Sequence, residues 1–310
     1  MPVRLFALLL AAAASFAQPF EPHLWKISSS AQTLYLFGSI HVGTPDMYPL
    51  PEPVEQAFAA SSVLLLEVYE TASDAPSPAA GDSLRERMLY PDGDSLWKHI
   101  SRRTRRRVEA ATKREDVRRT LHELDIDPDD VPHLRPWVVG LLLNVTPAIS
   151  QGMQPELGID EHFSAEAERA RKRIAGVETA EFQASLGSNL PEKLQVKWLE
   201  SELGMRRDVT DVNRLLISDR NVHMADAAEK FLRAGPSTFM VVGAAHVPGI
   251  LDLLKQRGYR AEEVPLPKNA KGRPDRASTP AGPRQRVPRL LQRLALRGPE
   301  GDGDLSARCR

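Results

Sequence analysis

The sequence predicts an α/β fold: a mainly parallel central sheet flanked by helices, with a helical insertion. Three observations predict it. Short apolar runs such as VLLLE (Val63–Glu67) and FMVVG (Phe239–Gly243) have the length and continuous apolar character of strands buried on both faces. The amphipathic stretch GIDEHFSAEAERARKR (Gly158–Arg173) leads straight into RIAGVE (Arg173–Glu178), the helix-then-strand form of an α/β crossover. Glycine, histidine and glutamate then gather where the apolar runs stop, as in sheets whose ligands bind beyond the carboxyl ends of the strands.

Each element has its own local reason. HLWKISSSAQTLYLFGSIH reads as a hairpin: LWKIS alternates, SSAQ turns, and TLYLFG alternates back. GTPDMYPLPEP is too rich in Pro and Gly to be regular, and a short helix is expected from Pro53 to Ala60 with proline in its first turn. Ser61–Val68 is a buried strand that ends on Glu67 and Val68, and Thr71–Gly81 is a Pro/Ala/Ser loop. Residues 82–145 are mostly helical and form the insertion. Within them RRTRRRVEAATKREDVRR is a solvated helical face, and WVVGLLLNV (Trp137–Val145) is a buried helix too short to span a membrane. TAEFQASLGSN and PEKLQVKWLESEL add helices, and one long helix is expected over Val212–Ala234. STFMVVG, VPGILDLLKQRG and YRAEEV follow as strand, helix and last strand.

The ends differ from the body. MPVRLFALLLAAAASFA has a positive Arg4, an apolar run Leu5–Ala14 and small residues at Ser15 and Ala17, so residues 1–17 read as a cleaved signal peptide. That predicts an exported protein, periplasmic or secreted, with no transmembrane segment after cleavage. Residues 266–310 read as a disordered basic tail rich in Pro, Gly and Arg, with RLLQRLALR as its one helical stretch. Residues 267–310 hold 11 Lys/Arg and 4 Asp/Glu, which leaves 30 basic and 37 acidic residues in the rest. A mildly acidic body lacks the clustered basic footprint of a nucleic-acid binder. The single cysteine, Cys309, excludes an internal disulfide. The domain is expected over residues 22–265.

The chemistry sits in a repeated pattern. Gly38-Ser39-Ile40-His41 closes one strand and Gly243-Ala244-Ala245-His246 closes another. Glu67 and Glu178 each close a strand of their own. If the strands are parallel, two imidazoles and two carboxylates converge on one edge. Such a group suits zinc, manganese, cobalt or iron and leaves open positions for water and substrate. The metal ligands expected are His41, His246, Glu67 and Glu178. A carboxylate such as Glu67 serves equally as general base for a metal-bound water. Arg220 begins a helix that leads to the second motif and can pair with a carboxylate or hold an oxyanion. Asp160, near a helix start, reads as a cap.

These residues carry a resemblance. LYLFGSIHVG, VLLLEV, GIDEHF with AGVETAEFQ, SDRNVHMADAAEKFL, and TFMVVGAAHVPGILDLLKQRGY together resemble the TraB/GumN/Tiki family, within the erythromycin-esterase and ChaN-like superfamily. The resemblance covers about residues 22–265 and is nearest to the exported GumN-like branch. It implies a core of two related halves, each opening a strand into Gly-x-x-His. It implies a metal-dependent hydrolase, foremost a peptidase, with a divalent ion (Mn, Co or Zn) and a peptide or small-molecule substrate. By the same resemblance His41 and His246 are the motif histidines, Glu67 the glutamate after the first motif, and Arg220 the arginine before the second. Glu178 matches an acidic position of the middle motif. The alternatives it leaves open are a non-catalytic haem- or peptide-binding protein and an accessory protein of envelope polysaccharide production.

Overall fold

A computed structural model describes residues 20–69, 86–124 and 126–267. The expected signal peptide, the whole loop expected at Thr71–Gly81 and nearly all of the expected basic tail therefore lie outside the described residues.

Six strands form one sheet: β1 (Leu24–Ser28), β2 (Thr33–Ser39), β3 (Val63–Val68), β4 (Arg173–Glu178), β5 (Thr238–Gly243) and β6 (Arg260–Val264). Their order is β4-β3-β5-β2-β1-β6. The run β4-β3-β5-β2 is parallel throughout. The expected hairpin forms, with β1 antiparallel to β2 and β6 antiparallel to β1 at the far edge. The sheet is thus mixed but mostly parallel, and β2, β3, β4 and β5 end on the same side.

Strand periodicity sorts side chains onto two faces. On one, Leu34, Leu36, Leu65, Met240 and Val242 pack against two helices, α8 (Asp219–Ala234) through Met224, Ala225, Ala228 and Leu232, and α9 (Val247–Gln256) through Ile250, Leu251 and Leu254. On the other, Phe37, Leu64, Leu66, Phe239 and Val241 meet α1 (Glu52–Ala60) and α5 (Ile159–Arg169). Phe163 of α5 is the aromatic hub there, with ring centroids 4.8 Å from Phe239 and 5.0 Å from Phe58. Because the period is 2, Glu67 falls on the face of Leu65 and points toward α8. This parity decides which helix can supply its partner.

The helical insertion builds a second core of its own. It contains α2 (Arg102–Ala111), α3 (Glu115–Glu123) and α4 (Pro136–Ser150), and it packs on α6 (Ala180–Asn189) and α7 (Glu192–Glu202) around Trp137, Val138, Leu141, Trp198 and Leu199. Helix α4 is apolar because it is enclosed on nearly all sides. On α2 the arginines 102, 103, 105, 106 and 107 are exposed, while Thr104, Val108 and Ala111 turn inward, the solvated helical face expected. The long helix expected over Val212–Ala234 is helical throughout but not uniformly α: a helical turn at Thr210–Asn213 passes through a π turn at Arg214–Ser218 before α8 begins.

Candidate functional site

The four parallel strands bring the predicted residues to one edge. Their ends carry His41 after β2, Glu67 near the end of β3, Glu178 at the end of β4 and His246 after β5. All lie beyond or at the carboxyl ends, the crevice side of an open α/β sheet. Strands β2 and β5 are immediate neighbours, in a register that pairs Ser39 with Gly243. The two Gly-x-x-His motifs are therefore side by side and offset by one residue.

Glu67 is the most tightly held group, 1% exposed. Its Oε1 accepts from Arg220 Nη2 at 2.5 Å and from Gln183 Nε2 at 2.6 Å; its Oε2 accepts from the Gly243 amide at 2.8 Å. His246 Nε2 lies 3.8 Å from the same Oε1. Burial alone would raise the carboxyl pKa. The neighbouring His246, Arg220 and His41 and the Gly243 amide outweigh burial and lower it to about 2. His246 is itself pushed down to about 4 by burial, against the pull of Glu67, and is neutral at pH 7. With His246 neutral, the permanent charge of Arg220, the nearby His41 and the Gly243 amide keep Glu67 ionised.

Arg220 links the carboxylates. Besides Glu67, it donates from Nε to Glu178 Oε1 at 3.0 Å and from Nη2 to Glu178 Oε2 at 2.6 Å. Nη1 folds back onto the Leu216 carbonyl at 2.9 Å, inside the π turn. The guanidinium thus reaches back one turn to a carbonyl within the π turn that leads into its own helix. Four of the five guanidinium N–H donors are taken among the described residues, which leaves one on Nη1. Gln183 also donates to Glu178 Oε2 at 3.0 Å, so Glu178 spends both oxygens on Arg220 and Gln183.

The histidines are held from behind. His246, fully buried, has Nδ1 2.7 Å from Asn221 Oδ1, while its Nε2 has no partner among the described residues. His41, 4% exposed, has Nδ1 2.9 Å from Asp160 Oδ2, off the line of a good hydrogen bond, and its Nε2 is also without a partner among the described residues. Burial lowers the His41 pKa, but the charges of Asp160 and Glu67 and the Asp160 contact more than offset it and leave it raised. Asp160 is fixed in turn by Ser39 Oγ, which donates to Oδ1 at 3.0 Å. The loop after β2 is pinned to the stretch before α5. Gly43 and Gln154 exchange backbone hydrogen bonds at 2.9 and 2.8 Å, and the Ile159 amide donates to the Ile40 carbonyl at 3.1 Å. Gly158 permits that contact, since a Cβ there would sit 2.6 Å from the His41 carbonyl oxygen.

Glu67, Glu178 and Arg220 are thus joined directly with His246 beside Glu67, while His41 stands at the same sheet edge on Asp160. Asp160 is not a helix cap, because its carboxylate turns to His41 and Ser39. Gln183, Asn221 and the Gly243 amide were not singled out from sequence. A signal existed for two of them: Asn221 adjoins Arg220, and Gln183 lies five residues after Glu178, little more than one helical turn into α6.

The donor set bears directly on a metal. Two buried imidazoles each present a partnerless Nε2, which is what a divalent ion takes from histidine. Glu67 is close but already committed, and Glu178 is engaged by the arginine. Among the described residues, no group of three or more His, Cys, Asp or Glu is arranged to hold a metal ion. What the described residues offer an ion is therefore two buried imidazole nitrogens without hydrogen-bond partners, and Glu67 could join them only by sharing Oε1 with its present donors.

Comparison with known proteins agrees with the motifs. The model of the TraB/PrgY/gumN family matches residues 23–215 and 204–263. Two curated relatives are 28% identical over 161 residues, each named "Uncharacterized protein YbaP", from Escherichia coli (strain K12) and Shigella flexneri. The match covers 51% of this chain and 53% of each relative, so the chain spans about half the length of the curated relatives it matches. No solved structure matches. Among the described residues no helix is long and apolar enough to cross a membrane. With two Gly-x-x-His strand ends side by side and the family model spanning most of the chain, this protein belongs to the TraB/PrgY/gumN family.

Proposed function

We propose that the protein is a metal-dependent hydrolase acting on amide bonds, and that it works as an exported peptidase. The observation that carries this is the pair of buried, partnerless Nε2 atoms of His41 and His246 beside an ionised, rigidly held Glu67. The neutral imidazole of His246, the imidazole of His41 once it sheds its proton, and one fixed anion in a buried site suit a divalent cation with water on its open positions.

His41 and His246 would hold the ion, with manganese, cobalt or zinc as the matching metals. When bound, the ion supplies a Lewis acid and a water of lowered pKa. The remaining work falls to the protein. Glu67, with a pKa near 2, is a weak base and acts as a fixed negative charge that offsets the cation. Arg220 fixes Glu67 and Glu178 relative to each other, and its one remaining N–H is the donor available to a carbonyl oxygen that gains charge. Asp160 and Asn221 orient the two rings. The low local dielectric strengthens each of these interactions and keeps the geometry from reorganising during the reaction.

The test is cleavage of a peptide library by chelator-stripped protein resupplied with Mn²⁺, Co²⁺ or Zn²⁺. Cleavage that returns with metal and is lost in His41→Ala and His246→Ala supports the proposal. Equal cleavage with and without metal contradicts the metal requirement, and no cleavage under any condition contradicts peptidase activity.

A further inference from the structure

His246 meets Asn221, not a carboxylate, and that difference determines where its proton sits. The ring contacts Asn221 through Nδ1 at 2.7 Å, and the atom it meets is Oδ1, an amide oxygen that only accepts. Nδ1 must therefore carry the hydrogen, and the lone pair is left on Nε2, the atom that faces Glu67 and has no partner among the described residues. Asn221 is 6% exposed and is held in place by α9. Gly249 lies directly against the amide, where a Cβ would come within 2.1 Å of Nδ2. No larger residue at 249 would leave this amide where it is. The side chain is also anchored through its neighbour in the chain, since Arg220 is locked to two carboxylates.

From this we infer that Asn221 is a positioning residue, one that locks His246 as the Nδ1–H tautomer and fixes its Nε2 lone pair toward the site. An amide does this without adding charge. A carboxylate in its place would add a third buried anion beside Glu67 and Glu178 and favour a charged imidazolium with no free lone pair. Gly249 serves the same end by leaving the amide its space. The use of the lone pair as a metal ligand rests on the proposed function; the tautomer itself does not.

The test reads the ring nitrogens directly. The full-length, metal-free protein is labelled with ¹⁵N-histidine, and the imidazole resonances of His246 are assigned by their loss in His246→Gln. In the wild type, the inference predicts a protonated Nδ1 and an unprotonated Nε2. Asn221→Leu removes the acceptor, and the proton is expected to move to Nε2. Asn221→Ser, which can offer a hydroxyl oxygen through a water, is expected to keep a mixture of the two. A wild-type His246 protonated on Nε2 overturns the inference, and so does an Asn221→Leu protein that folds and keeps Nδ1–H. If Asn221→Leu does not fold, the wild-type spectrum alone decides. Metal affinity, measured in parallel, is expected to fall about 10- to 100-fold in Asn221→Leu. The Nδ1–H tautomer in a protein that binds no metal would leave this inference standing and overturn the hydrolase proposal instead.

Discussion

Glu67 and Arg220 meet at 2.5 Å although each is nearly wholly removed from solvent, 1% and 2% exposed, and 153 residues of chain separate them. The strand that carries Glu67 near its end and the helix that carries Arg220 in its first turn come together only because β3 presents its odd-numbered side chains to α8. The contact is therefore both a tertiary lock and the electrostatic foundation of the site.

Removing the arginine leaves two buried carboxylates without their counter-charge. Arg220→Leu is expected to destabilise the fold by about 3–5 kcal/mol, the range for breaking one side of a buried ion pair. Arg220→Lys is expected to recover only part of this, since an ammonium cannot bridge two carboxylates with a planar fork. Urea unfolding of the three proteins measures it. A loss below about 1 kcal/mol in Arg220→Leu would show that the pair carries no structural load.

The clamp between the His41 loop and the start of α5 depends on Gly158. A methyl group there would lie 2.6 Å from the His41 carbonyl oxygen, a backbone atom that cannot swing aside. Gly158→Ala is expected to cost about 1–3 kcal/mol, as overpacking does, and to lower metal affinity by moving His41 off Asp160. Thermal unfolding and metal titration check the two effects, and a variant as stable as wild type would mean that the loop yields easily.

These two cases mark what could be read from the sequence. The hairpin, the strand ends and the Gly-x-x-His pair were legible because period-2 alternation and glycine punctuation are local. The solvated face of α2 was legible for the same reason. Asp160 was misjudged because a carboxylate near a helix start ordinarily caps the helix; its true partner is 119 residues away in the chain, and only the neighbouring of β2 and α5 reveals it. Gln183 and the Gly243 amide were hidden likewise, since their roles depend on the order of β4, β3 and β5. The π turn before α8, whose Leu216 carbonyl accepts from Arg220, has no signature in residue propensity. The position of β6 beside β1 also depends on sheet order, which strand periodicity does not specify.

A separate pH dependence is expected in the helical insertion. His99 lies between two carboxylates, with Nε2 2.9 Å from Asp94 and Nδ1 3.0 Å from Glu192, and its ring stacks on Tyr90 at 4.4 Å. Burial lowers its pKa, but the bonds to Asp94 and Glu192 outweigh burial, and the net shift is upward from 6.5. A group whose folded pKa is raised contributes stability fully below its unfolded value and loses it as pH rises through the folded value. The denaturation midpoint should therefore fall as pH rises above about 6.5, and His99→Gln should flatten that slope. Urea midpoints between pH 6 and pH 9 test this, and an equal slope in both proteins would contradict it.

The central claim is that His41 and His246 jointly offer two lone pairs to one divalent ion. The most direct measurement is calorimetric titration of chelator-stripped protein with Mn²⁺, Co²⁺ and Zn²⁺, wild type beside a His41→Ala/His246→Ala double variant. One ion bound per chain in the wild type, lost in the double variant, is the predicted result. Wild-type protein that binds none of the three, or binds them as tightly without the histidines, would contradict it.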